Sequence, residues 1–152
     1  MKFLSSSLAA LRVCMGALFL LAGLSKLTTA GWSAAGYLSG ATGPFASWFQ
    51  SMAGNAFVDG LNVWGQLLIG LALLLGVGVR AASFFGGLMM LLYYFAAFES
   101  NTAHGLIEEH IVYIFVLLVL ASGMAGRHFG LGKWVEAQAW YKRGERWLRF
   151  VV

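Results

Sequence analysis

The sequence predicts an all-α integral membrane protein. Its architecture is a four-transmembrane-helix bundle with an aromatic interfacial loop and helix after the first span and a basic amphipathic C-terminal helix. Three observations predict it. Of the 152 residues, 60% are hydrophobic and 11% are charged, against about 45–50% and about 25% in an ordinary soluble domain. Mean hydropathy is +0.77, and a soluble fold of this size has no interior able to hide that surplus, so it must face lipid. Four apolar runs approach the roughly 20 residues needed to cross a bilayer, at about 8–27, 61–79, 81–98 and 107–124. Finally, the Lys and Arg residues gather on one side when these runs alternate in direction.

The first run carries two cations. Arg12, Gly16, Phe19, Gly23 and Lys26 recur at helical steps and share one face, which places both charges beside two glycines that admit a neighbouring helix. That face is expected to turn into the bundle, because a charge at the bilayer centre costs about 2.5–3.5 kcal/mol on insertion scales. Arg12 would also interrupt the apolar core of a signal peptide, so the segment reads as a retained helix.

Residues 28–60 carry no charge before Asp59 but include Trp32, Tyr37, Phe45, Trp48, Phe49 and Phe57. Such a stretch is too apolar for a solvated loop. Gly43-Pro44 can start a short interfacial helix over 44–53, with Phe45, Trp48, Phe49 and Met52 at helical spacing, lying as a cap at headgroup depth.

The second run bears Asn62, Gln66 and Gly70 at steps of four, a stripe suited to interhelical hydrogen bonds. It is joined to the third by Gly76-Val77-Gly78-Val79-Arg80, short enough to require a tight hairpin. The third run offers Ser83, Gly87 and Tyr94 on one face and an Ala82/Gly86 small pair on another. The fourth begins after the densest polar constellation of the chain, Glu99, Ser100, Asn101, His104, Gly105, Glu108, Glu109, His110 and then Tyr113. If the helix starts near Ile107, Glu109 and Tyr113 share a face and His110 stands about 100° round.

The tail sets Trp134, Trp140, Tyr141, Trp147 and Leu148 against Lys142, Arg143, Arg146 and Arg149. A basic amphipathic helix over 133–149 on anionic lipid follows. Lys2, Arg80, Arg127, Lys133 and the tail cations share one side, and Asp59, Glu99, Glu108, Glu109 and Lys26 the other. Both termini are therefore expected in the cytoplasm, with the chain a multi-pass protein of the cytoplasmic membrane. A single domain spans 1–152.

Composition also excludes functions. Net charge is +4, but most of the basic residues lie in the terminal stretch, which argues for a membrane surface and against a nucleic-acid partner. Cys14 is alone, so no intramolecular disulfide, CxxC centre or Cys-based metal site forms within the chain. The His and carboxylate cluster could hold a metal chemically, but its spacing matches no HxxxH or ExxH helix pattern, and bis-His haem ligation needs histidines on separate helices. Neither metal nor haem is expected. A quinone suits the cluster better: it needs an apolar slot, donors for its carbonyl oxygens and an ionisable group in reach of water.

The residues Leu11-Arg12, Gly16 and Phe19 through Lys26-Leu27, then Gly70-Leu71-Ala72-Leu73-Leu74-Leu75-Gly76 before Arg80, and His104-Gly105-Leu106-Ile107-Glu108-Glu109-His110, resemble the DoxX family. Within it the chain is similar to the DoxD-like membrane subunits of thiosulfate:quinone oxidoreductases, over roughly residues 8–126. The resemblance implies a four-helix membrane protein beside a redox partner, with quinone as electron acceptor, and Arg12, Lys26, Glu109 and His110 are the matched positions. On this reading the chain is a quinone-interacting membrane subunit passing electrons to membrane quinone. Lys26 and His110 bind quinone oxygens, Glu109 relays protons, Tyr113 adjoins them, and Arg12 is structural or close to the tail of a quinone held between the first and fourth spans. The partners expected are membrane lipid and a second subunit or larger respiratory complex. The rival reading is a non-catalytic accessory or assembly subunit, whose polar stripes face protein and which has no pocket long enough for an isoprenoid tail.

Overall fold

A computed structural model describes residues 2–99, 107–138 and 141. Among these the elements are α1 (Lys2–Thr28), α2 (Ala35–Ser39), α3 (Ala46–Ser51), α4 (Ala56–Leu75), α5 (Val79–Ala96), α6 (Glu109–Ser122), a 3-10 turn at Ala125–Arg127 and α7 (Gly132–Ala137). Three helices are long and apolar enough to cross a membrane, within Phe3–Thr28, Ala56–Leu75 and Val79–Ala96. The fourth, α6, is apolar but has 14 residues, about 21 Å at 1.5 Å per residue. Its length is set at one end by Glu108, whose carboxylate caps the helix by accepting from His110 N, and at the other by Gly123.

The four long helices alternate in direction and pack in the order α1, α4, α5, α6, with α1 also touching α6. Glycines bring α1 and α4 together. Gly16 faces Leu74, Gly23 faces Leu67, and Gly70 lies against the backbone of Leu20. The core joins them around Phe19, Leu73, Leu117 and Leu120, all fully buried. Large apolar side chains such as Leu21, Leu68, Phe84 and Phe115 remain exposed on the outer faces, as a lipid-facing surface requires.

The second span starts earlier than its apolar run suggests, at Ala56, because the Asn55 side chain accepts from Phe57 N and Asp59 sits in the first turn. Both suit a helix N-terminus. It ends at Leu75, before Gly76, whose φ of 70° is the left-handed conformation a helix stop needs. Val77 N then bonds to Ala72 O and Gly76 N to Leu73 O, so the hairpin expected from Gly76–Arg80 is formed.

α2 and α3 form a cap over one end of the bundle, around buried Ala34, Leu38, Ala41, Phe49 and Ala96. Thr42 N takes the Ala96 carbonyl at 3.1 Å and thereby ends α5. Gly43, at φ 82°, passes so close to Phe98 that a side chain there would collide with it. The aromatic face expected over 44–53 divides instead of lying wholly outward: Phe49 is buried under the cap, while Phe45 and Trp48 are exposed. Of the amphipathic helix expected over 133–149, α7 accounts for the first turns, with Val135 buried and Trp134 exposed. Lys142, Arg143, Arg146 and Arg149 lie outside the described residues, as do Ser100, Asn101, His104 and Gly105.

Candidate functional site

The face of α1 that carries Arg12, Gly16, Phe19, Gly23 and Lys26 does turn inward: Arg12 and Phe19 are buried and Lys26 is half-buried. The two cations have separate surroundings, because fourteen helical residues set them about 21 Å apart. Lys26 Nζ donates to Gln66 Oε1 at 2.7 Å, to Asn62 Oδ1 at 2.9 Å and to Tyr93 Oη at 3.4 Å. It also lies over the rings of Trp32 and Tyr93, at 5.3 and 5.6 Å from their centroids, where the aromatic quadrupole favours a cation. Among the described residues no carboxylate is within ion-pair distance of it. The ammonium is held by amide and phenol oxygens at the C-terminal end of α1, where the helix dipole also favours positive charge.

Tyr93 is the hub of this network. Its hydroxyl donates to Asn62 Oδ1 at 2.8 Å and accepts from Gln66 Nε2 at 3.3 Å. Its backbone carbonyl accepts from Tyr37 Oη at 3.0 Å. The His110 ring stands edge-on to the Tyr93 ring, centroids 5.7 Å apart, and His110 Nδ1 meets Glu108 Oε1 at 2.7 Å. Burial, followed by the Glu108 carboxylate, pushes the Tyr37 phenol above its ordinary pKa.

Thus Lys26 and His110, assigned together from sequence, do converge through Tyr93. The carboxylate that engages His110 is that of Glu108, while Glu109 is exposed at the first position of α6. A helix-capping carboxylate must fold back on the first turn, and that brings it to His110 instead of Glu109. Donor atoms of Glu108, Glu109 and His110 lie within 4.8 Å of one another, near enough to share a cation. Tyr113 is half-buried against the bundle core. Arg12 stands apart, at the other end: its guanidinium donates to the carbonyls of Ala125 (2.9 Å), Phe129 (3.1 Å) and His128 (3.3 Å). It binds the backbone that follows α6.

Beside the network, on the far side of Asn62 and Tyr93, a cavity of about 530 Å³ opens between α4 and α5. Its walls are largely apolar, from Leu68, Phe85 and Met89 up to Phe49 and Leu38 of the cap; Asn62, Tyr37 and Tyr93 gather in its cap-proximal half, and the Trp48 indole lines it from the cap. From Phe85 to Ala96 on α5 it extends about 16 Å at 1.5 Å per residue. The slot therefore lies between the second and third spans, not the first and fourth: no α1 or α6 residue lines it, and Gly65 leaves α4 without a side chain at its wall. Sequence reasoning took Tyr94 as the polar member of this helix and missed Tyr93. The available signal was the Ala82/Gly86 packing face, which seven residues on from Gly86 arrives at Tyr93.

A helical bundle with a buried cation, a hydrogen-bonded tyrosine hub and an apolar lateral cavity defines a polytopic membrane protein. The DoxX family profile matches residues 7–99, and the chain belongs to that family, a membrane family often linked to oxidoreductase-related functions. The matched segment contains Arg12, Lys26, Asn62, Gln66 and Tyr93, whereas α6 with Glu108, Glu109 and His110 follows it. No curated protein and no solved structure matches the chain.

Proposed function

We propose that this DoxX protein is a quinone-binding membrane subunit of an oxidoreductase, with the quinone in the α4–α5 cavity. The observation that carries the reading is the cavity itself, an apolar slot whose polar groups Asn62, Tyr37 and Tyr93 adjoin a half-buried ammonium. Its volume falls in the range of small-molecule sites, about 300–1,000 Å³, and its length suits an isoprenoid segment better than the purely structural reading requires. Bound quinone supplies two-electron, two-proton chemistry. The chain's own residues bind and orient it: the walls take the tail, the polar end takes the ring oxygens, and the Lys26 charge makes the region favourable for arriving electrons.

The Glu108–His110 pair sits at the same end, with side chains 12% and 17% exposed. It can hold a proton between water and the Tyr93 side of the network. Electrons come from a partner subunit; the likeness to DoxD-like proteins supports a sulfur compound such as thiosulfate as donor. Arg80, Arg127 and Lys133 mark the cytoplasmic end, and Asp59, Glu99, Glu108 and Glu109 the outer one.

The test is the quinone content of protein purified gently from quinone-replete membranes, read by solvent extraction and mass spectrometry. Near-stoichiometric quinone is expected in the unmodified chain, and its loss in Gly65→Phe, which fills the cavity from the α4 wall. A quinone-free unmodified protein, or equal retention by both, overturns the reading.

A further inference from the structure

We infer that Asn62 is the residue by which the cavity recognises its ligand, and that this ligand is an amphiphile whose polar end presents a hydrogen-bond acceptor such as a carbonyl oxygen. The inference rests on the quinone reading of the cavity and narrows it to one side-chain group.

An ammonium has only donors, so the atom of each amide that faces Lys26 Nζ must be the oxygen. Asn62 Oδ1 accepts from Lys26 at 2.9 Å and from Tyr93 Oη at 2.8 Å, which fills both of its lone-pair directions. The Asn62 amide is thereby locked, with its NH2 turned from the cation. Gln66 is oriented by the same cation, but its NH2 is engaged, donating to Tyr93 Oη. Among the described residues no acceptor takes the NH2 of Asn62, and Asn62 lines the cavity.

The two other polar groups at the cavity end have no proton to offer. The Tyr93 hydroxyl proton goes to Asn62 and the Tyr37 hydroxyl proton to the Tyr93 carbonyl. Of the three polar groups gathered there, Asn62 is therefore the one with a donor to offer; the Trp48 indole, also a lining group, belongs to the cap. Lys26 is a positioning residue: it does not line this cavity, and it acts on the ligand by fixing which end of the Asn62 amide looks into it. A site that offers a donor in apolar surroundings favours an acceptor over a tail-matched hydrocarbon, and a ligand that leaves the donor unpaired is penalised.

The discriminating variant is Asn62→Asp. It keeps an oxygen toward Lys26 and Tyr93, so the network survives, and it replaces the donor with an acceptor. Binding of decyl-benzoquinone, decyl methyl ketone and dodecane is measured in phosphatidylcholine nanodiscs against empty discs. In the unmodified protein the ketone and the quinone are expected to bind about tenfold more tightly than the hydrocarbon. Asn62→Asp removes that advantage and leaves dodecane binding unchanged, which a collapsed cavity would not do. Lys26→Met, which frees the amide to turn, reduces the ketone advantage with dodecane again unaffected. A ketone advantage that persists in Asn62→Asp, or is absent from the unmodified protein, overturns the assignment. If quinone binds both proteins equally, the quinone reading stands and the Asn62 role falls. If the ketone behaves as stated while the quinone fails to bind, Asn62 stands and the quinone reading falls.

Discussion

Lys26 donates to Gln66 across the α1–α4 seam at 2.7 Å, the shortest of three bonds that hold the ammonium. Gln66 is 4% exposed, so this amide cannot be replaced by water without opening the seam. Gln66→Leu removes one acceptor from a cation with no carboxylate beside it among the described residues. The expected loss is about 1–3 kcal/mol, the cost of leaving a buried polar group short of a partner. Gln66→Glu retains the acceptor and is expected to keep most of the stability. Thermal unfolding of both variants in one detergent checks the difference.

The conformations needed for this network were legible only in part. The steps of four from Asn62 to Gln66 to Gly70 and the alternating steps from Arg12 to Lys26 each define a helix face, because helical periodicity is local. Both faces turn inward and meet, and the stripe on α4 makes interhelical bonds as its spacing suggested. What periodicity cannot give is which helix lies beside which. The cavity depends on Gly65 and Met89 meeting at the α4–α5 crossing, and the role of Tyr93 depends on Lys26 reaching across from a helix 67 positions earlier. Glu108 was legible as a member of the polar cluster before α6, but its partnership with His110 follows from how the carboxylate folds back to cap the helix.

The phenol of Tyr37 has its pKa raised above 10.0 by burial first and by the Glu108 carboxylate second. Its folded state holds the proton more tightly than the unfolded chain does. The associated stability is present below the ordinary tyrosine pKa and is lost as pH rises through the raised one. A difference titration of phenolate absorbance between the unmodified protein and Tyr37→Phe isolates this group. Glu108→Gln is expected to move its midpoint downward while leaving a raised value, because burial remains. An unmoved midpoint would mean that the carboxylate does not act on Tyr37.

Two glycines one helix apart should respond oppositely to the same change. A Cβ on Gly70 would meet the backbone of Leu20 at 2.5–2.7 Å, which a side-chain rearrangement cannot relieve. Gly70→Ala is expected to cost about 1–3 kcal/mol by overpacking and to loosen α1 from α4. On α5, a Cβ at Gly87 would meet nothing within 4 Å. Gly87→Ala should therefore be neutral or stabilising by up to about 1 kcal/mol, from helix propensity alone. Paired unfolding measurements in the same lipid discs decide both. Equal effects would place the α1–α4 seam elsewhere.

Arg12 is 1% exposed, yet among the described residues its charge meets carbonyl oxygens alone: those of Ala125, His128 and Phe129. These lie past the C-terminal end of α6, beside Gly76 at the C-terminal end of α4, so two helix dipoles present their negative ends to the guanidinium. The backbone pays locally for this arrangement, with Met124 at φ 47° and Phe129 at φ 52°, left-handed values that side chains other than glycine adopt at a cost. Leu131 N also reaches back to Leu75 O at 2.9 Å, which fastens the same segment to α4. Arg12→Met leaves buried carbonyls without donors, and the segment after α6 should then relax toward unstrained φ values. The expected loss is of order 3 kcal/mol, with faster amide exchange confined to residues 125–138. Arg12→Lys should recover only part, because a point charge lacks the planar fork that reaches three carbonyls. Hydrogen exchange of the three proteins separates a latch from a ligand-binding role, since a ligand site would leave exchange over 125–138 unchanged when no ligand is added.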